Sequence, residues 1–585
     1  MSIAYGVSWT DDRPIRRVAT ILLVAAVALG GLLVALQART SGSLPVIVRS
    51  TADSVAAARD QVLAAGGSID LELGIINGFR ATVPAAALAG LAASQFIWSI
   101  TDDSRVTMQS DPGYAPTDDG SPYLAAQAIG APMLWHTGIT GRGVDVAMID
   151  TGVVPVPELA GRIVNGPDLS PESQSDNLRY LDSYGHGTHM AGLILGRDAE
   201  LAPGELPNST TFTGVAPEAR LVSIKVANYN GTTDVSQVLA AIDWVVQHRK
   251  SGDLNIRVLN LSFGTDGTQD YRLDPLTYAV EVAWRAGIVV VAAGGNTGFG
   301  SAHLNNPAYD PFVIAVGADD TRGNAAPGND RVPDFSSRGL ARKVDFVAPG
   351  KSVISLRAAG SYIDQNSPLG RVGERFFRGS GTSQAAAVTS GAIALLLQQR
   401  PELTPDQVKY LLREGAAPMP SEPTVADGEG LLRIDRAASK PTPTGTAHVQ
   451  TWEPATGLGS LDASRGNAKI HENGTALTGE RDIFGQDFAT ADWAPRSADG
   501  TSWSEGSWMG RKLTGQGWCE STWTGSSWTG SSWTGSSWTG SSWTGSSWTG
   551  SSWTGSSWTG SSWTGSSWTG SSWTANFWSG AGWGN

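Results

Sequence analysis

The sequence predicts an α/β fold, a parallel sheet with helices on both faces, and three observations point to it. Between about residues 121 and 440, short apolar runs at 144–149, 221–226, 256–261, 288–293 and 312–316 read as buried strands. They alternate with helical patterns at 235–248, 276–286 and 385–399, the order produced by βαβ crossovers. The chain of 585 residues is too long for one ordinary core, so smaller units are expected on either side.

Ahead of that domain, Arg13, Arg16 and Arg17 precede an uncharged apolar run that opens at Val18 and closes at Leu36. A cleavable signal has an apolar core of ~7–15 residues, whereas a bilayer span takes ~17–25. Residues 1–43 therefore read as a cytoplasmic stub and a signal or membrane anchor with the arginines inside; cleavage after Ala38 is the competing reading. Residues 44–110 pattern as a small α+β unit, with strands at 44–48, 69–76 and 96–100 and helices at 52–65 and 84–93. Such a unit ahead of a larger exported domain predicts a prosegment that assists folding and is later removed.

Within the larger domain, the strand ending at Ile149 delivers Asp150, with Thr151 and Gly152, to the carboxyl edge of the sheet, where such folds gather their chemistry. Asp-Thr-Gly also marks aspartic proteases, but these need two copies sharing a proton and this chain has one. A second motif, 184–192, places His186 and His189 in a segment of small residues that opens a helix. Their spacing lacks the i, i+4 pattern and glutamate of a zincin helix, and no cysteine cluster stands nearby, so no metal is expected there. An imidazole titrating near neutrality makes His186 the candidate general base, while His189 reads as a packed helix histidine. A third motif, 379–387, sets Ser383 at the start of a long apolar helix, whose N-terminal N–H and dipole would face a developing oxyanion. An N-cap serine is the plain alternative. Thr404, Pro405 and Gln407 supply the cap, first-turn proline and capping-box partner of one more helix.

Asp150, His186 and Ser383 occur in the order Asp, His, Ser, and segments 145–153, 184–192 and 379–387 resemble the three active-site signatures of the subtilisin-like serine proteases. The likeness runs over about 121–415. It implies a subtilisin-like parallel sheet and an endopeptidase acting on protein or peptide substrates, with Ser383 as nucleophile, His186 as base and Asp150 orienting the imidazole. It further implies an oxyanion-hole donor in Asn296, after Gly294 and Gly295, and a substrate-pairing edge at Ser262, Phe263 and Gly264. Asn77 to Ala81 in the preceding unit resembles part of the family's inhibitory prosegments, which implies an intramolecular inhibitor and a self-processing zymogen cut between about Met108 and Ser121. Two residues depart from the family pattern: Gln384 stands where methionine is usual, and Ala387 where proline is. Members often bind calcium, but no dense carboxylate loop indicates a site, and no cofactor is required by this chemistry.

Lys plus Arg total 41 against 54 Asp plus Glu, a net charge of -13, which removes the footprint that a nucleic-acid partner requires. One cysteine, Cys519, precludes an internal disulfide. Residues 441–520, rich in Pro, Thr, Gly and Ser, read as a linker, and 521–585 as a low-complexity repeat tail in which Thr-Gly-Ser-Ser-Trp recurs ten times. A period of five matches neither strand nor helix, so regular structure is not expected, and a flexible tail is the plain reading. The sharper one is a multivalent surface whose indoles hold a cell wall, polysaccharide or membrane surface. The competing functional class is an inactive protease scaffold that serves only to bind through this tail.

Overall fold

A computed structural model describes residues 43–511 apart from 52–53, 103–114, 116–117, 176, 199–200, 202–210, 299–302, 327, 421, 423 and 473–474, together with the backbone of short strands between 527 and 579. The apolar run from Val18 to Leu36 and most of the expected cleavage region lie outside the described residues. Among the described residues no helix is long and apolar enough to cross a membrane.

The chain divides into two compact units, at Met1–Ser110 and Asp111–Asn585. The first contains β1 (Ser43–Ser50), α1 (Val55–Ala64), β2 (Ser68–Leu73), β3 (Gly78–Pro84), α2 (Leu88–Ala92) and β4 (Ile97–Asp102). Its antiparallel sheet has the order β2-β3-β1-β4. The strand expected at 69–76 stops at Leu73, and Asn77 turns the chain in a left-handed conformation (φ 50°) into a β3 that the sequence reading missed. Alternate residues Phe79, Ala81 and Val83 of β3 are buried with Val46, Val48, Ala58 and Val62, the period of two expected of a half-covered sheet.

The second unit is built on a seven-stranded parallel sheet in the order β11-β10-β9-β8-β5-β7-β6. Its strands are β5 (Asp145–Asp150), β6 (Ile163–Asp168), β7 (Arg220–Lys225), β8 (Ile256–Leu261), β9 (Val289–Ala293), β10 (Ile314–Asp319) and β11 (Phe346–Pro349). Four helices carry the argument below: α3 (His186–Leu195), α4 (Val235–His248), α5 (Pro275–Arg285) and α6 (Thr382–Gln399). β5, β7, β8, β9 and β10 fall on the predicted runs. β6 and β11 were not predicted: β6 carries Gly166 and Pro167, and β11 is four residues ending in Pro349, too short to show a pattern. The strands of the middle are buried on both sides, so they read as continuous apolar runs. α6 is buried from Thr382 to Leu397 and packs along β8, β9 and β10 as well as against α3. The following helix, α7 (Pro405–Gly415), starts with the predicted capping box between Thr404 and Gln407.

The reading of 441–520 as a linker is corrected. Leu461, Ile470, Leu477, Ile483, Phe488, Trp493 and Trp508 are buried in the same core as the sheet. Arg465, fully buried, makes a two-toothed ion pair with Asp234, which also caps α4. From α8 (Thr490–Ala498) onward, the indole N–H groups of Trp493 and Trp508 donate to Asp243 at 2.9 and 2.8 Å, and that of Trp503 to the Ala240 carbonyl at 2.7 Å. Five-residue Trp spacing here anchors a packed extension onto α4.

The repeat tail also departs from expectation. Its backbone forms strands such as Ser527–Gly535, Trp538–Thr544 and Ser547–Gly555. They pair in parallel with a step of four repeats, Trp528 opposite Trp548 and Trp538 opposite Trp558. An exact repeat pairs each residue with its own copy, so the ladder tolerates a period that a lone strand's two faces do not favour.

Candidate active site

β5 is the switch point of the sheet: β7 pairs on one side of it and β8 on the other. Asp150 is its last residue, so its carboxylate emerges where crevices form in open α/β sheets. The side chain is buried, and Oδ1 accepts the Thr151 N–H at 2.8 Å. His186 opens α3, after Gly185 in a left-handed conformation (φ 106°), where a β-carbon would strike Ser361. Its Nδ1 lies 2.8 and 3.0 Å from the two carboxylate oxygens of Asp150. That contact makes Nδ1 the protonated nitrogen and leaves Nε2 as the base. Burial pulls the imidazole pKa down, but the charge and hydrogen bond of Asp150, with Asp182 behind it, outweigh burial and raise it above the ordinary value.

The sequence reading missed Asp182. Its Oδ1 accepts from Thr151 Oγ1 (2.7 Å) and Gly185 N (2.6 Å), and its Oδ2 from Thr188 N (2.7 Å). One buried carboxylate thereby ties the loop after β5 to the first turn of α3 and holds both members of the dyad. No capping pattern marks it in the sequence, since the cap position itself is Gly185 and Asp182 stands three residues ahead of it.

Ser383 sits in the first turn of α6, only 9% exposed. Its hydroxyl proton goes to the Ser262 carbonyl at 2.8 Å, and Ser262 Oγ in turn donates to the Ser383 carbonyl at 3.1 Å. A hydroxyl has one hydrogen, so in this rotamer it is not donated to His186. Ser262 is also joined to α6 through Asn260 Nδ2 (2.8 Å) and Ser390 (2.9 Å to Asn260 Oδ1). The side chain expected at a substrate edge is thus buried and committed to the neighbourhood of Ser383. Phe263 is partly exposed, and Gly264 runs close against Asn305 and Asn306.

Asn296 follows β9 and faces solvent. Its Oδ1 accepts both Thr382 N (2.9 Å) and Thr382 Oγ1 (3.0 Å), and because the amide partner can only donate, the facing atom is the oxygen. The Nδ2 donor is left beside Gly381 and the Ser383 N–H. A β-carbon on Gly381 would come within 3.3 Å of Nδ2 and 2.9 Å of Gln384 Oε1, so glycine keeps that gap open. Gln384 is buried beneath it, with its Oε1 unpaired and its Nε2 beside Gly379 and His189. His189 is a packed helix residue: its Nε2 bonds the Phe377 carbonyl at 3.1 Å, and burial followed by repulsion from His186 holds its pKa down to about 4.

The structure therefore brings Asp150 to His186 and Asn296 to the start of α6, and sets Ser383 with Ser262. Such an arrangement can abstract a hydroxyl proton, carry a second charge on an imidazolium next to a carboxylate, and offer two N–H donors to an oxyanion. Among the described residues no group of three or more His, Cys, Asp or Glu side chains is arranged to hold a metal ion.

Residues 141–450 match the subtilase family. Serine protease AprX of Bacillus subtilis is 39% identical over 306 residues, 51% of this chain and 67% of its own. Minor extracellular protease Epr of the same organism is 32% identical over 298 residues, 51% of this chain and 39% of its own. Subtilisin Savinase of Lederbergia lenta is 33% identical over 307 residues, 52% of this chain and 95% of its own.

Proposed function

This chain belongs to the subtilase family and is a subtilisin-like serine endopeptidase acting on protein or peptide substrates; from that premise we propose that Asp150, His186 and Ser383 perform the hydrolysis. The observation that carries the assignment is the two-toothed contact of Asp150 with His186 at the switch point of the sheet. Rotation of Ser383 Oγ from the Ser262 carbonyl towards His186 Nε2 transfers its proton to the ring as the oxygen attacks a peptide carbonyl. The oxyanion is met by the Ser383 N–H and Asn296 Nδ2. His186 then returns the proton to the leaving amine, and a water repeats the cycle on the acyl-enzyme. Catalytic hydrogen bonds are commonly incomplete before substrate binds, which accommodates the resting rotamer of Ser383.

The reading extends to an exported zymogen. The positively flanked apolar run ahead of residue 40 and the similarity to an extracellular protease of Bacillus subtilis support export. The compact α+β unit that closes at Asp102 supports a removable inhibitor of the protease's own cleft. The repeat tail would hold the enzyme to a cell wall, polysaccharide or membrane surface. A fluorophosphonate probe tests the centre: labelling at Ser383 is expected, and an unlabelled wild-type protein would end the assignment. Mass spectrometry of the mature N-terminus tests the rest, since purified Ser383→Ala protein should keep the segment before about residue 121 that the wild type loses.

A further inference from the structure

We propose that Tyr184, Tyr229 and Tyr362 form an aromatic platform beside His186 that selects peptides carrying an aromatic side chain close to the scissile bond; the inference rests on the hydrolysis assigned above to Ser383 and adds a specificity to it. The three rings come from three separate segments. Tyr184 lies on the turn into α3, two residues before His186, Tyr229 in the loop that follows β7, and Tyr362 at the start of a short helix, Tyr362–Asn366. Tyr362 stacks on Tyr184 with ring centroids 5.9 Å apart, and Tyr229 meets Tyr362 edge-on at 6.4 Å. These are spacings at which aromatic rings attract one another.

Tyr229 and Tyr362 are each 43% exposed, and Tyr184 is half-buried. Single exposed apolar side chains are ordinary on a protein surface, but several gathered together and left open to solvent mark a place for a ligand. The cluster is also held in place. The Tyr362 N–H donates to the Ser183 carbonyl and the Ile363 N–H to the Tyr184 carbonyl, both at 2.9 Å. Asp364, buried two residues on, accepts from Arg357 at 2.6 and 3.0 Å and from Arg371 at 2.8 Å, which pins the segment that presents Tyr362. The loop of Tyr229 is closed by the Gly231 N–H on the Asn228 carbonyl at 2.9 Å. A β-carbon on Gly231 (φ 79°) would come within 2.7 Å of the Tyr184 ring, so glycine lets this loop rest directly on it. Rings fixed before a ligand arrives lose little rotamer freedom when it binds.

The position ties the platform to the chemistry. β7 pairs with β5, so the loop carrying Tyr229 opens from the same carboxyl edge of the sheet as Asp150. Two residues span at most about 7 Å, and an extended peptide advances ~3.3 Å per residue, so the rings meet a side chain within about three positions of the bond attacked. The carboxylates of Asp150, Asp182 and Asp364 are committed to His186, to Thr151 and backbone N–H groups, and to Arg357 and Arg371, which leaves ring stacking and not charge as what the trio offers. Burial, followed by Tyr362, Asp150 and Asp182, raises the Tyr184 hydroxyl above its ordinary pKa, so that ring presents a neutral face.

The test measures kcat/KM of the wild-type chain on peptides with an alanine background, in which one phenylalanine, leucine, arginine or glutamate is moved through the positions on either side of the cleaved bond, with the cleavage point read by mass spectrometry. We expect one position at which phenylalanine exceeds alanine by about tenfold or more. Tyr229→Ala together with Tyr362→Ala should bring that ratio to within about twofold, while the ratios at other positions hold; a general defect of the cleft would lower all positions alike. If the double variant does not fold, Tyr229→Ala alone should reduce the ratio about threefold and Tyr229→Phe should preserve it. A wild type labelled by the fluorophosphonate that shows no such position, a ratio that survives in the folded variants, or a preference for arginine or glutamate lost on the same substitutions would overturn the platform and leave the assignment of Ser383 standing. An unlabelled wild type that cleaves none of the peptides would overturn that assignment, and the platform with it.

Discussion

Two buried aspartates of the same unit are fastened in nearly the same way and do different things. Asp150, at the end of β5, takes the Nδ1 of His186 and a backbone N–H. Asp243, midway along α4, takes the indole N–H groups of Trp493 and Trp508 and the Ser497 hydroxyl, at 2.9, 2.8 and 2.5 Å. Burial dominates at Asp243 and raises its pKa, with those hydrogen bonds opposing. An indole N–H does not titrate near neutrality, so the contacts of Asp243 can only staple the extension 441–511 to the core. An imidazole does titrate, and His186 is partly exposed, so under the proposed mechanism the same kind of contact at Asp150 would store charge during a reaction.

If that contrast is right, the two regions separate cleanly under substitution. The largest effect belongs to Ser383→Ala, which should lower kcat/KM by roughly 10⁶-fold while Tm stays within about 2 °C, read on a peptide substrate and by calorimetry. A matching fall in Tm would show that the centre is also a structural staple. Next, Asp150→Asn should cost about 10⁴-fold. It also sharpens the comparison through pH. His186 must be neutral to act as base, so the wild-type kcat/KM falls as pH drops through a pKa above the ordinary 6.5, and the variant's limb should move to lower pH. Stability runs the other way. A folded-state pKa raised above the unfolded value contributes fully below the unfolded value and is lost as pH rises through the folded one. The wild type's His186 contribution to Tm should therefore shrink on the alkaline side, where turnover is greatest.

Smaller still, Asn296→Ala should lower kcat by ~10²–10³ with little change in KM, since the amide is asked to bind charge that exists only in the transition state. The smallest change probes the other aspartate: Trp508→Phe keeps an aromatic ring but removes the pyrrole half of the indole with its N–H, leaving Asp243 Oδ2 with Trp493 as its remaining indole donor. A loss of about 1–3 kcal/mol in denaturant unfolding is expected, with kcat/KM unchanged at a temperature where the variant is folded. A variant that lost turnover but not stability would mean that the extension reaches the cleft.

The central strands and the three signatures were legible because both depend on local pattern: a doubly covered strand is a continuous apolar run, and each signature is a compact string of small residues around one reactive group. β6 and β11 were not, since Gly166, Pro167 and Pro349 hide what is an edge position in the sheet. Asp182 went unnoticed because its partners, Thr151, Gly185 and Thr188, are donors at a loop and a helix start, which no periodicity marks. The extension was misread for a related reason. Segment 441–520 is rich in Pro, Thr, Gly and Ser, and its tryptophans share the spacing of the repeat tail, but their acceptors lie on α4 some 250 positions earlier.

From residues in order alone came the strand and helix alternation, the carboxylate at the carboxyl edge of β5, the imidazole opening α3 and the hydroxyl opening α6, because each follows from short-range sterics and burial. Only the folded chain decided that Ser262 receives the Ser383 hydroxyl hydrogen, that Thr382 turns the Asn296 amide, and that Trp493 and Trp508 both become anchors on Asp243. Those outcomes depend on which groups meet across hundreds of positions. A hydrogen bond or an unpaired charge is a property of such a meeting and of no single stretch of sequence.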